Sequence, residues 1–376
     1  MRRTPALIVG GGPAGASAAI VLARAGAPHL LVERSRDTGD AICGGFLSWR
    51  TLESLGRLGI APEALGPARV LRTRVILGDR VVEAPLPRPA HGVSRHLLDT
   101  VMIRHAIAHG AAVERGITVR SLVDTAATLD DGAVLAGDTL FLASGKHDVR
   151  GAARPADARG ADPVLGLRVR IASAPGLTRL IGDAIELFPF DRGYVGIVLQ
   201  EDGSANICMA VHRSKMLAAG SPAALLDTLA RECPRLGDRL AFRSGDEPID
   251  AIANVPYGWR ARQTEGAVFR LGDQAGVIPS LAGEGMGIAI ASGIRAGHAY
   301  ITGGAAAAPR FQRDFAAATA RPIRLAGLVR DAAERPWLGA ALLPLVGHVP
   351  GLIQIIASAT RIGHSPLDHA APQQEN

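Results

Sequence analysis

Apolar residues fall along the chain in three textures, and each predicts a different kind of element. Short unbroken runs at residues 6–9, 29–32 and 139–143 have the length and composition of strands buried in a parallel sheet. Between residues 160 and 262 the pattern alternates through PVLGLRVRI, AIELFPF, GYVGIVLQ, SANICMAV and IDAIANVPYG, with turn-like breaks at Asp191-Arg192-Gly193 and Glu201-Asp202-Gly203-Ser204. That texture predicts an antiparallel sheet, interrupted by a helix near 221–233. Helical spacing marks residues 13–25, the set Leu52, Leu55 and Leu58, and the face Leu97, Leu98, Val101, Met102 and His105 behind the capping residue Ser94. It also marks most of residues 309–376.

The remaining elements complete an α/β plan. Residues 68–84 read as a hairpin about Gly78-Asp79, followed by a proline-rich link at 85–89. Strands at 117–123, 126–130 and 133–136, the latter two turning at Asp131-Gly132, precede the run at 139–143. Residues 1–67, 92–159 and 263–308 are therefore expected to build a discontinuous Rossmann-like nucleotide-binding domain, and 68–91 with 160–262 an antiparallel-sheet substrate domain. Residues 309–376 form a helical C-terminal cap. Within it, residues 337–360 carry no Asp, Glu, Lys or Arg, a length that would suit a membrane span. Pro344, Pro350 and three glycines argue instead for two or three short helices over a substrate cavity. Arg321, Arg324, Arg330, Arg335 and Arg361 flank them, so contact with a membrane surface is the second reading.

One stretch carries chemistry on its own. After the first strand, Gly10, Gly12 and Gly15 stand at G-x-G-x-x-G spacing. The first allows the tight turn, the second lets a pyrophosphate approach the backbone, and the third lets the helix lie close to the sheet. Pro13 suits a first helical turn, whose free N–H groups and positive dipole end stabilise phosphate. Glu33 closes the second strand, where a carboxylate accepts hydrogen bonds from adenosine ribose hydroxyls.

Further candidates lie where other strands end. The run at 139–143 ends in the small residues Ser144 and Gly145, and a strand through Leu271 delivers Gly272 and Asp273 to the same kind of edge. Gly283, Gly285, Met286 and Gly287 open a second glycine-rich helix. Arg95 starts a helix, where the dipole disfavours a cation, which points to an anionic partner as readily as to a solvated arginine. The loop holding Cys43, Gly44 and Gly45 reads equally as a surface connection or as backbone approaching a ligand. Phe188, Phe190 and Tyr194 read as sheet core before substrate wall.

Composition narrows the function. With 376 residues, 48% of them apolar, the chain can bury a large core in two lobes. Its net charge of +6 rests on arginines scattered along the chain, with only Lys146 and Lys215 as lysines, so no clustered basic stripe supports nucleic-acid binding. Cys43, Cys208 and Cys233 are three, far apart and without C-x-x-C spacing, so neither disulfides nor a metal site is expected. A cytoplasmic protein is the expectation, and the apolar run behind Arg2 and Arg3 is too short for an export signal.

Taken together, VGGGPAGASAA with Glu33-Arg34, CGGFLS, SRHLLD, LFPFDRGYVG and GDQAGVIPSLAGEGMGIAIASG resemble the FAD-dependent oxidoreductases built like p-hydroxybenzoate hydroxylase, most closely their geranylgeranyl-reductase-like branch. The resemblance covers roughly residues 5–300. It implies FAD, with the ADP half held by Gly10, Gly12, Pro13, Ala14, Gly15, Glu33 and Arg34. Arg95, Ser144, Gly145, Gly272 and Asp273 are then placed along the cofactor. Gly283, Gly285, Met286 and Gly287 meet the flavin ring, Cys43 and Gly44 lie beside it with Cys43 as the candidate catalytic residue, and Phe188, Phe190 and Tyr194 line the substrate cavity.

Where relatives carry Ala-Asp-Gly, this chain has Ala143-Ser144-Gly145-Lys146, which puts the usual reduction by NAD(P)H in question and leaves room for a redox partner. The substrate expected is a small hydrophobic molecule: aromatic, quinone, polyketide or isoprenoid. The wider superfamily tips the reaction slightly towards a monooxygenase. The CGGFLS stretch speaks for an ene-reductase, since a thiol is liable to oxidation where oxygen is activated. An electron-transfer flavoprotein or non-catalytic flavin-binding module is the alternative of another class. No histidine suggests itself as general base, since His91, His147 and His212 cannot be placed at the flavin from sequence.

Overall fold

The computed structural model describes residues 1–66, 68–349, 351–363 and 365–368. Arg2–Val9 lies at the centre of a seven-stranded sheet, parallel to Leu30–Glu33 on one side and Val134–Leu142 on the other. Ala112–Arg115 extends it beyond Leu30–Glu33, and Val268–Arg270 pairs in parallel with Val134–Leu142. The register sets Val9 opposite both Val32 and Leu142, and Leu142 opposite Arg270. Four parallel strands thus end level, and the segments at Gly10, Glu33, Ala143 and Leu271 emerge along one edge. This is the edge at which open α/β sheets bind ligands.

The two strands expected at 133–136 and 139–143 merge into the single strand Val134–Leu142, whose first half also pairs antiparallel with Ala126–Leu129. Gly137 does not break the strand, because its neighbours Ala136 and Thr139 are both tied to Arg2–Val9. On one face, helix Pro13–Arg24 lies against helix Gly285–Gly303. The contact needs small residues: a Cβ on Gly293 would stand 2.2 Å from the Ala14 carbonyl oxygen. Phe141 and Phe269 stack at 4.8 Å between ring centres and meet Tyr300 edge-on, so the core of this domain continues into the helices that follow.

The second sheet has eight strands in the order Asp250–Val255, Val164–Ile171, Ala205–His212, Gly193–Leu199, Ala184–Phe190, Arg69–Leu77, Arg80–Gly92 and Phe46–Leu47. It is antiparallel except where Ala184–Phe190 runs parallel to Arg69–Leu77, a crossover that the alternating pattern did not reveal. The proline-rich link is part of strand Arg80–Gly92. Beyond Arg69–Leu77 that strand meets only the two-residue strand Phe46–Leu47, near its end, so most of its outer edge has no ladder bonds for prolines to remove. Helices Pro175–Ile181, Pro222–Glu232 and Pro234–Leu240 cover one face of this sheet with a separate core.

The cap is the long helix Ala308–Ala333 followed by Pro336–His348 and Leu352–Ala359. Pro344 lies inside the second of these and does not end it, whereas Gly351, in the left-handed region, stands before the third; Pro350 falls outside the described residues. Among the described residues no helix is long and apolar enough to cross a membrane. Two of the flanking arginines point inward. Arg361 is buried against Glu284, at 3.0 Å, and Arg330 lies over the Tyr257 ring.

Candidate active site

The glycine turn is built as its spacing requires. Gly10 has φ +107°, and a Cβ there would stand 2.4 Å from the Ala143 carbonyl oxygen; a Cβ on Gly15 would be 1.9 Å from that of Gly10. These two glycines therefore let the turn close and do not themselves face the cleft. Gly12, Pro13 and Ala14 do, at the N-terminus of the helix. Glu33 braces the turn: its carboxylate accepts the backbone N–H of Gly11 at 2.7 Å and of Ser35 at 2.9 Å.

Arg95 reaches this turn from the start of helix Arg95–Ala108, which Ser94 caps by accepting the Leu97 N–H. Its guanidinium donates to both oxygens of Asp99, at 2.9 and 2.7 Å, one helical turn on. A Cβ on Gly12 would lie 3.3 Å from its Nη2, so the cation stands beside the bare backbone where a pyrophosphate would sit. Burial works against the charge of Arg95, but the Asp99 carboxylate outweighs it and holds the guanidinium above its ordinary value. Opposite, Lys146 Nζ is 3.4 Å from Asp273 Oδ2, and the Asp273 charge raises the lysine against the effect of burial. Asp273 is held from behind, its carbonyl accepting from Arg154 at 3.1 Å.

One cleft of about 190 Å³ joins these groups to Cys43, Gly44, Gly145, Gly272, Gly283, Gly285, Met286 and Tyr194. A Cβ on Gly44, Gly145 or Gly285 would meet nothing within 4 Å, so bare backbone faces open space along its length. Asn206 donates to the Cys43 carbonyl at 3.0 Å and holds the cysteine loop to the sheet. Not every expected residue takes part. Gly287 faces away, its missing Cβ leaving room for the buried Glu284 carboxylate, which would stand 2.5 Å from it. Arg34 turns to His147, 3.0 Å away, and the Ser144 hydroxyl donates to the His147 carbonyl.

Phe188 and Phe190 are corrected by strand parity. On Ala184–Phe190 successive side chains alternate between faces. Ile185, Leu187 and Pro189 face the cavities, while Phe188 and Phe190 pack into the core beneath the covering helices. Residues that the sequence reading passed over take their place: Lys146, Cys208, Tyr257, Ser280 and Leu281. Burial pushes the Cys208 thiol up to about 12, so it lines the cleft as a neutral group.

A second cavity, a chamber of about 230 Å³, lies between the second sheet and the cap and has Phe46, Ile185, Leu187, Leu281 and Gly283 as walls in common with the cleft. Val75 and Leu77 from the sheet, Val329 from the long helix, and Leu342, Ile353 and Ile356 from the last two helices line it. Among the described residues, its polar side chains are Thr73, Thr360 and Arg361.

A family model described as an FAD binding domain matches residues 3–137, the segment that builds the glycine turn, Glu33 and Arg95. A geranylgeranyl bacteriochlorophyll reductase-like protein from Thermoplasma acidophilum matches over 95% of both chains, with a TM-score of 0.77 and 18% identity. The chain is an FAD-dependent oxidoreductase. A digeranylgeranylglycerophospholipid reductase from Methanopyrus kandleri is 25% identical to this oxidoreductase over 317 residues, 77% of this chain and 75% of that protein. A menaquinone reductase from Mycolicibacterium smegmatis is 31% identical over 160 residues, 40% of this chain and 39% of the other.

The cleft fits the cofactor on its own geometry. Two helix N-termini, Pro13–Arg24 and Gly285–Gly303, face it, the first for a pyrophosphate and the second for the electron-rich edge of a flavin ring. Arg95 and Lys146 supply cations between bare glycine backbone. Among the described residues no group of His, Cys, Asp and Glu is arranged to hold a metal ion.

Proposed function

We propose that this oxidoreductase saturates a carbon–carbon double bond in a long apolar molecule of isoprenoid type. The observation that carries the reading is the aliphatic chamber that shares its walls with the flavin cleft. Such a chamber removes a chain from water along its whole length. Bound FAD, once reduced, supplies the hydride. The chain's own residues do the rest: the glycine backbone and Arg95 seat the cofactor, and Leu187, Leu281 and Phe46 exclude water at the junction.

The lining also bears on the monooxygenase reading. Hydroxylating a phenolic ring calls for a base that ionises it. The ionisable side chains among the described residues lining the cleft are Cys43, Arg95, Lys146, Tyr194, Cys208, Tyr257 and Asp273. Arg95 and Lys146 are paired with carboxylates, burial keeps Cys208 and the tyrosines protonated, and no histidine is among them. This moves the preference from the monooxygenase to the reductase, in line with the printed names of the two sequence relatives. An electron-transfer protein would have no use for the chamber.

The reductant in this reading is NAD(P)H or a protein redox partner. Substrate would enter from a membrane surface through the cap, whose outer side exposes Trp337, Leu328 and Ile355. The direct test reduces the bound flavin without oxygen and adds a polyprenyl alcohol. Return of the oxidised-flavin absorbance, faster than in a buffer control, is the expected result. Reoxidation by oxygen alone, with no response to any polyprenyl compound, would overturn the reading.

A further inference from the structure

Beside the apolar walls of the cleft lies a cluster of three hydroxyls. Tyr194, on strand Gly193–Leu199, donates to Ser280 Oγ at 2.5 Å, and the Tyr257 hydroxyl is hydrogen-bonded to the same oxygen. Three separate segments bring them together. Ser280 opens the short turn that leads into Gly283 and the flavin-facing helix. Tyr257 follows strand Asp250–Val255 and is fixed by the neighbouring Gly258 N–H donating to the Val277 carbonyl at 2.8 Å. Arg330 from the cap lies 5.7 Å over the Tyr257 ring and holds its plane.

The protons can be counted. Each hydroxyl has one, and the two hydrogen bonds within the cluster use two of the three. Whichever way the Ser280–Tyr257 bond is oriented, one O–H remains with no partner inside the cluster. All three groups line the cleft together with Leu187, Leu281 and Gly283. Ser280 is exposed, so a ligand that displaces water from the cluster must offer an acceptor to this O–H or leave it unpaired. Burial keeps the tyrosines protonated, pushing Tyr257 up to about 12 and Tyr194 well above its ordinary value, so the cluster donates and does not accept a proton at neutral pH.

We infer that Tyr194, Ser280 and Tyr257 form a subsite for a carbonyl oxygen conjugated to the double bond that is reduced, so that the substrate is an enone or quinone with an apolar tail. This deepens the reductase reading and rests on it for the chemistry. A hydrogen bond to that oxygen draws electrons from the double bond. The hydride forms a C–H bond at the carbon β to the carbonyl, the π pair moves to the oxygen, and the oxygen takes the free proton of the cluster as water at the exposed Ser280 replaces it, so that no alkoxide or phenolate is left. The resulting enol becomes the ketone by moving its proton to the α carbon. The substrate gains two electrons and two hydrogens, reduced flavin is oxidised, and water reaching the exposed Ser280 restores the lost proton.

The test uses the full-length, FAD-loaded protein and two probes of equal length: a prenyl-tailed enone and the hydrocarbon that lacks its carbonyl. Binding to the oxidised protein is followed by calorimetry, with no turnover. The wild type should prefer the enone at least about tenfold, the size of one net hydrogen bond. The triple variant Tyr194→Phe, Ser280→Ala, Tyr257→Phe, which leaves no O–H in the cluster, should reduce that preference to within about twofold while hydrocarbon binding and flavin content stay constant, and returning Ser280 alone should restore it. An equal preference in the triple variant and wild type, or none in the wild type, would overturn the subsite. Anaerobic single turnover separates the two readings. If both probes are reduced alike, the carbonyl requirement fails and the reductase stands; if neither is reduced, the reductase fails, and the binding preference alone still decides the subsite.

Discussion

The cleft and the chamber, which meet at common walls as a cofactor end and a far end, are built on opposite principles. At the cofactor end, charges are balanced in pairs, Arg95 with Asp99 and Lys146 with Asp273, and the walls between them are bare glycine backbone. At the far end almost every wall is an aliphatic side chain, drawn from three strands of the second sheet and three helices of the cap. The first end can specify a ligand atom by atom, because backbone N–H groups and paired charges are directional. The second specifies only length and apolarity, because the hydrophobic effect has no direction. In the proposed reading, a substrate that reaches both is selected for its reacting group at one and for its tail at the other.

The comparison is broken most completely at the turn. Gly15→Val would drive side-chain carbon into the Gly10 carbonyl oxygen, so the purified variant should carry no flavin at all, measured as absorbance of the flavin against that of the protein. Retention of a full complement of FAD would show that the cofactor does not sit there. Next in size is Arg95→Met, which removes a charged donor and leaves Asp99 buried without its partner. Loss of about 1.5–3 kcal/mol is the scale for a hydrogen bond to a charged group, or about 10–100-fold in FAD affinity. Fluorescence titration of the apoprotein would read it.

At the apolar end the expected effects are smaller and selective. Ala357→Phe places a ring in the chamber without touching the cleft. The KM for long polyprenyl substrates should rise about tenfold while that for short ones is unchanged, a loss within the range for misfitted methylenes. Smallest is the effect of Lys146→Met on stability. Because Asp273 raises the lysine, the folded protein holds that proton more tightly than the unfolded chain does. The pair's contribution is therefore full below the ordinary lysine value of 10.5 and is lost as pH rises through the folded value. The difference in urea midpoint between wild type and variant should be constant from about pH 6 to 10 and shrink only above the ordinary lysine value of 10.5. A difference that grows with pH would contradict the pairing.

The two ends were also unequally legible. Gly10, Gly12, Gly15 and Glu33 are fixed by steric rules that act over a few residues, and the Gly283–Met286 helix start follows the same logic. Phe188 and Phe190 were misplaced because a strand's parity depends on which face its sheet turns to the cavity, a tertiary choice. A local hint existed: Glu186 shares their side of the strand and is fully buried against Arg239 at 2.7 Å, which marks that face as the one covered by helices. Lys146 had a signal too, being one of two lysines in the chain and standing just past the end of a central strand. Tyr257 and Ser280 had none, since they meet only when two loops pack against strand Gly193–Leu199. The prolines of Arg80–Gly92 were read as a break because sequence does not say which strands lie at an edge.

The central claim is that the flavin end delivers two hydrogens to a double bond of a chain held by the aliphatic end. Its most direct measurement is the mass of the product after one turnover of reduced enzyme with a tailed enone, run in parallel without oxygen and under isotopically labelled oxygen. The account predicts a product heavier by two hydrogens in both vessels, with no label incorporated. A product formed only under oxygen, carrying one labelled atom, would contradict it.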